Sequence, residues 1–213
     1  MKVEIWSDIM CPFCYIGKRH FEKALSQLDD TGAIEIEWKS FQLDPTIPKT
    51  VKKISVYQYL ADAKGISYSE SKEMHDNVVQ SAKNVGLTYN YDNAIVANSF
   101  DAHRMIQFAK TKGLGDQLEE ALFKAYFTDG KNIGDINDLL EIGVSIGIEK
   151  STLKAVLESE QFTNEVNNDI SEAQEIGVRG VPFFVFDRKY AISGAQPISV
   201  FIETIEKVLS ESK

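Results

Sequence analysis

Cysteine is almost absent from this chain: two residues in 213. That excludes a small fold stapled by a disulfide framework. A zinc site would have to recruit histidine or carboxylate, and the three histidines, His20, His75 and His103, stand at no ligand spacing, so no metal is expected. Proline is sparse, at five residues, and no Gly-, Ser- or Pro-rich tract marks a disordered linker. No apolar run is long enough to cross a bilayer. Met1-Lys2-Val3 leads straight into a strand pattern, without a charged n-region and apolar h-region, so a cytoplasmic protein is expected. Positive charge is in the minority. With 23 Lys and Arg against 32 Asp and Glu, the formal net charge is −9, which argues against nucleic acid and anionic membrane surfaces as partners.

What is present is an ordinary globular composition, 43% hydrophobic and 26% charged, enough to bury a full core. The two cysteines are the ends of Cys11-Pro12-Phe13-Cys14. Such a pair can close a small disulfide ring, join a metal site or lie inert, and its flanks decide. Val3-Glu4-Ile5-Trp6 alternates like a strand, Ser7 to Met10 breaks the pattern, and Cys14 to Leu28 is amphipathic at helical spacing. A Cys-x-x-Cys between a strand and a helix is a thioredoxin-like redox signature. In a reducing compartment such a pair points to catalysis rather than to structure.

The chemistry fits those residue types. The thiolate is the attacking species in thiol–disulfide exchange. Cys11 falls at the predicted N-cap, where the N–H groups of Phe13 and Cys14 and the helix dipole are expected to point at its sulfur. Pro12 suits the first helical position, where its missing N–H is not needed. Cys14, nearly one turn on, faces inward and can reach back to release a mixed disulfide.

Along the chain, residues 2–7 predict a strand, 11–29 a helix stopped by Asp30-Thr31-Gly32, and 34–41 a second, half-buried strand parallel to the first. Pro45 and Pro48 break the composition, and helical patterns follow: 55–64, 69–85 with Ser69 as N-cap, 93–112, 114–127, 135–146, 150–159 and 161–176. Strand character returns at 181–186 and 190–193, a hairpin turning at Asp187-Arg188-Lys189, and a helix from Pro197 closes the chain. The expected architecture is α/β, β-α-β followed by a helical insertion and then β-β-α. Residues 1–44 with 177–213 form the sheet-bearing domain and 45–176 the all-helical insertion.

With Gly180-Val181-Pro182 ahead of a hydrophobic strand, Cys11-Pro12-Phe13-Cys14 resembles the DsbA-like branch of the thioredoxin superfamily, whose hallmark is that helical insertion. Ser7 to Gly17, Asn98 to Arg104 and Ser193-Gly194-Ala195-Gln196 resemble the cytosolic FrnE-type proteins. One departure is the dipeptide, Pro-Phe where those proteins usually carry Pro-Trp. The resemblance implies a thioredoxin-like fold and thiol–disulfide exchange with Cys11 as nucleophile and Cys14 as resolving thiol. It also implies a cis Val181–Pro182 peptide lying against the pair, so that the Val181 backbone can meet an extended substrate.

The remaining candidates carry two readings each. Asn98 and His103 would form a polar lid or proton relay over the cysteines, or else Asn98 or Ser99 caps a helix and Asp101 suits its first turn. Asp8 would accept a proton or shape its turn. Lys18, Arg19 and His20 would raise the local potential or form a solvated face. Phe13, Tyr15 and Ile16 are candidates for an exposed apolar substrate patch. Protein or small-molecule disulfides and thiols are the expected substrates. No cofactor is required, and glutathione as co-substrate or a thioredoxin-type protein is the candidate redox partner. Two rival functions stand beside this one. The first is a glutathione-dependent isomerase or transferase of the hydroxychromene-carboxylate isomerase or kappa type, which usually has serine where Cys11 stands. The second is a non-catalytic, chaperone-like binder.

Overall fold

Val3 and Ile5 point to one face of the first strand and Glu4 and Trp6 to the other, and this alternation organises the sheet. The computed structural model describes residues 1–28, 34–49 and 54–211, so the expected helix stop at Asp30-Thr31-Gly32 lies outside the described residues. The elements are β1 (Lys2–Ser7), α1 (Pro12–Leu25), β2 (Glu35–Ser40), α2 (Val56–Lys64), α3 (Tyr68–Asn84), α4 (Phe100–Lys110), α5 (Gly115–Phe127), α6 (Ile136–Ser145), α7 (Lys150–Leu157), α8 (Thr163–Glu175), β3 (Phe183–Phe186), β4 (Tyr190–Ser193) and α9 (Ile198–Glu211). They form two compact units, 1–43 with 166–213, and 44–165.

The first unit is built on a mixed sheet in the order β2-β1-β3-β4. β1 runs parallel to β2 and antiparallel to β3, and β3 and β4 form the expected antiparallel hairpin. Register pairs Val3 with Phe186 and Ile5 with Phe184. On that face Phe21 of α1 and Phe201 of α9 meet Phe184 with centroids 5.7 and 4.8 Å away, an aromatic core in tilted and edge geometry. The opposite face carries Trp6, Val185, Ala173 and Val178 in one buried cluster, with Phe41, Val181 and Phe183 packed against it.

Glu4 sits on this second face and is buried. It is held by the guanidinium of Arg188, as a buried carboxylate requires. Asp187 and Arg188 both have positive φ, 46° and 56°. They are the central residues of a turn closed by Lys189 N donating to Phe186 O at 2.9 Å, within the three-residue loop that joins Phe186 to its partner Tyr190, made here without glycine. Asp187 Oδ1 accepts from Lys2 N at 2.6 Å, and Arg188 also reaches Glu172 at 2.7 Å.

α8 corrects the expected domain boundary. From Val166 onward it belongs with the sheet rather than the insertion. Trp6 Nε1 donates to Asp169 O at 2.9 Å, and Asp169 Oδ2 accepts from Ser40 N at 2.9 Å. Lys39 Nζ lies 3.2 Å from Asp169 and 3.1 Å from Glu172. These partners are more than a hundred residues apart in sequence, so local periodicity does not announce them.

In the second unit two helix starts differ from expectation. α3 is capped by Ser67 rather than Ser69. Ser67 forms a reciprocal capping box with Glu70, which satisfies two otherwise orphaned donors. α4 begins at Phe100, not Asn93. Ile95 instead makes a β-bridge to Ser55, and Asn98 Oδ1 accepts from Phe100 N at 2.9 Å, an Asx turn that starts the helix. Around Tyr57 the unit holds an edge-to-face cluster with His75 and Tyr91, centroids 4.9 and 6.5 Å from the Tyr57 ring. Among the described residues no helix is long and apolar enough to cross a membrane.

Candidate active site

β1 ends at Ser7, and the chain turns through Asp8 to Met10 before α1 begins. Asp8 builds that turn. Its carbonyl accepts from Cys11 N at 2.9 Å, and its carboxylate accepts from Met10 N at 3.2 Å and Leu43 N at 2.8 Å. Of its two readings, turn formation accounts for the Met10 contact, while the Leu43 contact ties the turn to the segment after β2.

Cys11 is the N-cap of α1 and Pro12 its first residue. The expected cap geometry is not what the sulfur adopts. Cys11 has extended backbone and no side-chain cap hydrogen bond, and the N–H of Cys14 is bonded to the Cys11 carbonyl at 3.0 Å. The Cys11 thiol instead donates to Val181 O at 3.3 Å. A carbonyl that chain topology brings alongside competes for the sulfur with the helix N-terminus.

Val181 belongs to the loop entering β3, and the Val181–Pro182 peptide is cis. The loop is pinned on two sides. Pro182 O accepts from Gly194 N at 2.8 Å, and His20 Nδ1 lies 2.8 Å from Gln196 O, so α1 also holds the segment after β4. Gly17 of α1 faces Pro182 directly. A methyl there would stand 3.0 Å from Pro182 Cγ and 3.5 Å from Ala195. We expect Gly17→Ala to push the Pro182 loop off α1. Overpacking costs about 1–3 kcal/mol against a helix-propensity gain of about 1 kcal/mol, so the melting temperature moves little while the exchange rate falls several-fold. An unchanged rate would show that the loop has slack.

Cys14 is buried, at 1% exposure, and Cys11 at 4%. The two thiols are not bonded to each other. Burial pushes the Cys14 thiol well above its ordinary range, and the hydrogen bond it donates to Cys11 pushes the same way. Donation to the Cys14 sulfur from the Ser7 hydroxyl and the Asp8 N–H acts in the opposite sense. Ser7 was not among the residues singled out from the sequence. Its one signal there is a hydroxyl in phase with Val3 and Ile5, where an apolar side chain would be expected.

The flanking residues divide. Phe13 is 45% exposed, whereas Tyr15 and Ile16 are buried, so Phe13 alone of the three presents a side chain outward. Tyr15 is covered by Arg19, whose guanidinium lies 4.8 Å from the ring centroid. Lys18 is no solvated residue. It is buried and paired with Glu22.

Asn98, His103 and Arg104 lie in the helical unit. The Asn98 amide is engaged on both sides, accepting from Phe100 N and donating to Ile47 O at 2.5 Å. His103 is buried on α4. Arg104, also buried, binds Asp101 and the carbonyls of Val156 and Gln161. Helix start and packing therefore account for Asn98, Asp101 and Arg104. Among the described residues no group of histidine, cysteine and carboxylate side chains is disposed to hold a metal ion.

The fold that carries these residues is matched among known proteins. A probable DsbA oxidoreductase from Streptomyces coelicolor, SCO1869, superposes with a TM-score of 0.94 at 37% identity, covering 99% of this chain and 91% of that one. The cytosolic disulfide reductase DsbM from Pseudomonas aeruginosa, solved with GSH, has a TM-score of 0.68 at 15% identity, covering 99% of this chain and 100% of that one, a likeness of fold. The uncharacterized protein YwbO of Bacillus subtilis (strain 168) is 26% identical over 213 residues, 99% of this chain and 96% of that protein. The model of the DSBA-like thioredoxin domain matches residues 2–206; spanning nearly the whole chain, insertion included, that match makes this protein a member of the DsbA-like family of thiol–disulfide oxidoreductases.

Proposed function

We propose that this protein is a cytoplasmic, FrnE-type dithiol–disulfide oxidoreductase in which Cys11 is the nucleophile and Cys14 the resolving thiol. The observation that carries this reading is the pairing of an N-cap cysteine, 3.3 Å from the carbonyl preceding Pro182, with a second thiol buried beneath it. In the reducing direction the Cys11 thiolate attacks a substrate disulfide and one substrate thiolate leaves. Cys14 then attacks Cys11 Sγ and the second leaves. In the oxidising direction a substrate thiolate attacks Cys11 of the Cys11–Cys14 disulfide and Cys14 departs. Pro12, Phe13, Val181 and Pro182 complete the proposed site, with Phe13 as the apolar contact for a peptide or small-molecule thiol. His103 and Asn98 are given no step in this scheme.

Glutathione is the proposed small-molecule thiol, supported by the likeness of fold to a disulfide reductase solved with GSH. The glutathione-dependent isomerase or transferase reading is less favoured. Those proteins usually have serine at the position of Cys11, and such a mechanism leaves Cys14 without a part.

Equilibration with glutathione buffers and thiol trapping tests the proposal. A reduction potential of about −120 to −200 mV assigns disulfide formation or reshuffling, and one of about −270 mV or lower assigns disulfide reduction. A pair that never cycles would overturn the dithiol mechanism.

A further inference from the structure

Alternation along β1 places Val3, Ile5 and Ser7 on the face that receives α1, and the first two are apolar and fully buried. Ser7 is 1% exposed. A buried hydroxyl in an apolar row is costly unless it is bonded. What lies over the end of that row is the first turn of α1, and the Ser7 hydroxyl donates to Cys14 Sγ there, beside the N–H of Asp8. The backbone of this strand end is fixed independently, since Ser7 O accepts from Phe41 N at 3.0 Å and Ser7 pairs in register with Ser40. The hydroxyl is therefore held against a sulfur that water does not reach.

We propose that Ser7 is a catalytic residue of the resolving half-reaction, its hydroxyl stabilising the negative charge that develops on Cys14 Sγ. The inference rests on the dithiol reading above. In the mixed disulfide, Cys14 must lose its proton to the substrate thiolate released in the first step before its sulfur attacks Cys11 Sγ. The Cys14–Cys11 bond then forms, the Cys11–substrate bond breaks, and the substrate sulfur leaves with the electron pair. Overall the dithiol loses two electrons and the substrate disulfide gains them. In the reverse direction the same hydroxyl meets Cys14 as the leaving group. Because Cys14 is buried, solvent cannot take over that role. The Asp8 N–H is supplied by backbone and is present whatever the side chain at position 7, so Ser7 is the donor that substitution can remove.

The test is single-turnover oxidation of the reduced protein by glutathione disulfide over a pH series. Acid quench and mass spectrometry separate the glutathionylated intermediate from the internal disulfide. Ser7→Ala is expected to leave formation of the intermediate unchanged and to slow its resolution about tenfold, the effect of losing one hydrogen bond to a charged group. The pH profile of resolution should move upward, and Ser7→Thr should restore both. Resolution in Ser7→Ala that matches wild type in rate and pH profile would overturn the assignment. So would equal slowing of both steps without rescue by threonine, which marks a packing fault. If the wild type itself forms no mixed disulfide, the dithiol reading fails and Ser7 with it. A wild type that cycles beside an unaltered Ser7→Ala removes Ser7 alone.

Discussion

Replacing Cys11 by serine is expected to reduce thiol–disulfide exchange to the uncatalysed background, while replacing Cys14 by serine should trap substrate on the protein. The two cysteines occupy different environments. Cys11 stands at the mouth of α1 with its thiol on the Val181 carbonyl, and a serine hydroxyl there has no accessible anionic form with which to attack sulfur. Cys14 is buried beneath it with its thiol held protonated chiefly by burial, so it is unfitted to make the first attack. Once Cys11 is linked to substrate, Cys14 is the only other cysteine in the chain. Without it, release depends on an external thiol, and the loss of a held intramolecular partner slows release by on the order of a thousandfold or more.

Intact-mass analysis after exposure to glutathione disulfide checks both variants. The Cys14→Ser protein should carry one glutathione and the Cys11→Ser protein none. The same pair of variants separates the rival enzyme classes. A glutathione-dependent isomerase would keep its activity in Cys11→Ser, where bound glutathione is the nucleophile. Retention of exchange in Cys11→Ser would end the mechanism proposed above.

Arg104→Ala is expected to destabilise the protein by about 3–5 kcal/mol, the cost of breaking a buried charge-paired hub. Arg104 is 2% exposed. Its Nε donates to Gln161 O at 2.8 Å, its Nη2 to Val156 O at 2.6 Å and also to Ser159 O, and its Nη1 to Asp101 Oδ1 at 2.9 Å. Those carbonyls belong to the last turn of α7 and the segment after it. Helix C-terminal carbonyls lack intrahelical partners, and a cation there also meets the favourable end of the helix dipole.

The same contacts hold the segment next to Phe162, whose φ of 65° is one that non-glycine residues rarely adopt and whose ring packs on Phe108 at 5.8 Å. Truncation removes four donated hydrogen bonds at once, although Val156 O keeps those from the Ser159 N–H and hydroxyl and the Asp101 carboxylate keeps Lys49. Arg104→Lys should recover only part of the loss, because an ammonium cannot present a planar fork to several carbonyls. Chemical and thermal unfolding followed by circular dichroism gives the comparison. An Arg104→Ala protein within about 0.5 kcal/mol of wild type, the ordinary range of a neutral surface change, would show that water replaces the guanidinium.

From the sequence alone, Arg104 is the last residue of the Asn98–Arg104 stretch, and no role is read for it there. Helical spacing carries the information that Asp101 and Arg104 are neighbours on α4. It carries none about the end of α7, some fifty residues away in the chain. The same division runs through the molecule. Period-two alternation located β1 and β2, an apolar run followed by a polar turn located the β3–β4 hairpin, and helical periodicity with its capping residues located most of α1 to α9, because these patterns are imposed by the geometry of a single element. Cys-Pro-Phe-Cys between a strand and a helix likewise pointed to the thiol–disulfide oxidoreductase family, and Pro12 is legible there because proline suits the first position of a helix.

Tertiary structure decided what no element's own geometry specifies. It set β3 antiparallel beside β1 and brought α8 onto the sheet through Trp6, Ser40 and Asp169. It turned the Cys11 thiol to the Val181 carbonyl instead of the helix N-terminus, and laid the Ser7 hydroxyl against Cys14. Apart from Ser7 and Cys14, which a short turn separates, these are donors and acceptors finding partners far away in the chain. The choice is made by which packing leaves the fewest buried polar groups unpaired, a property of the assembled chain and not of any stretch within it.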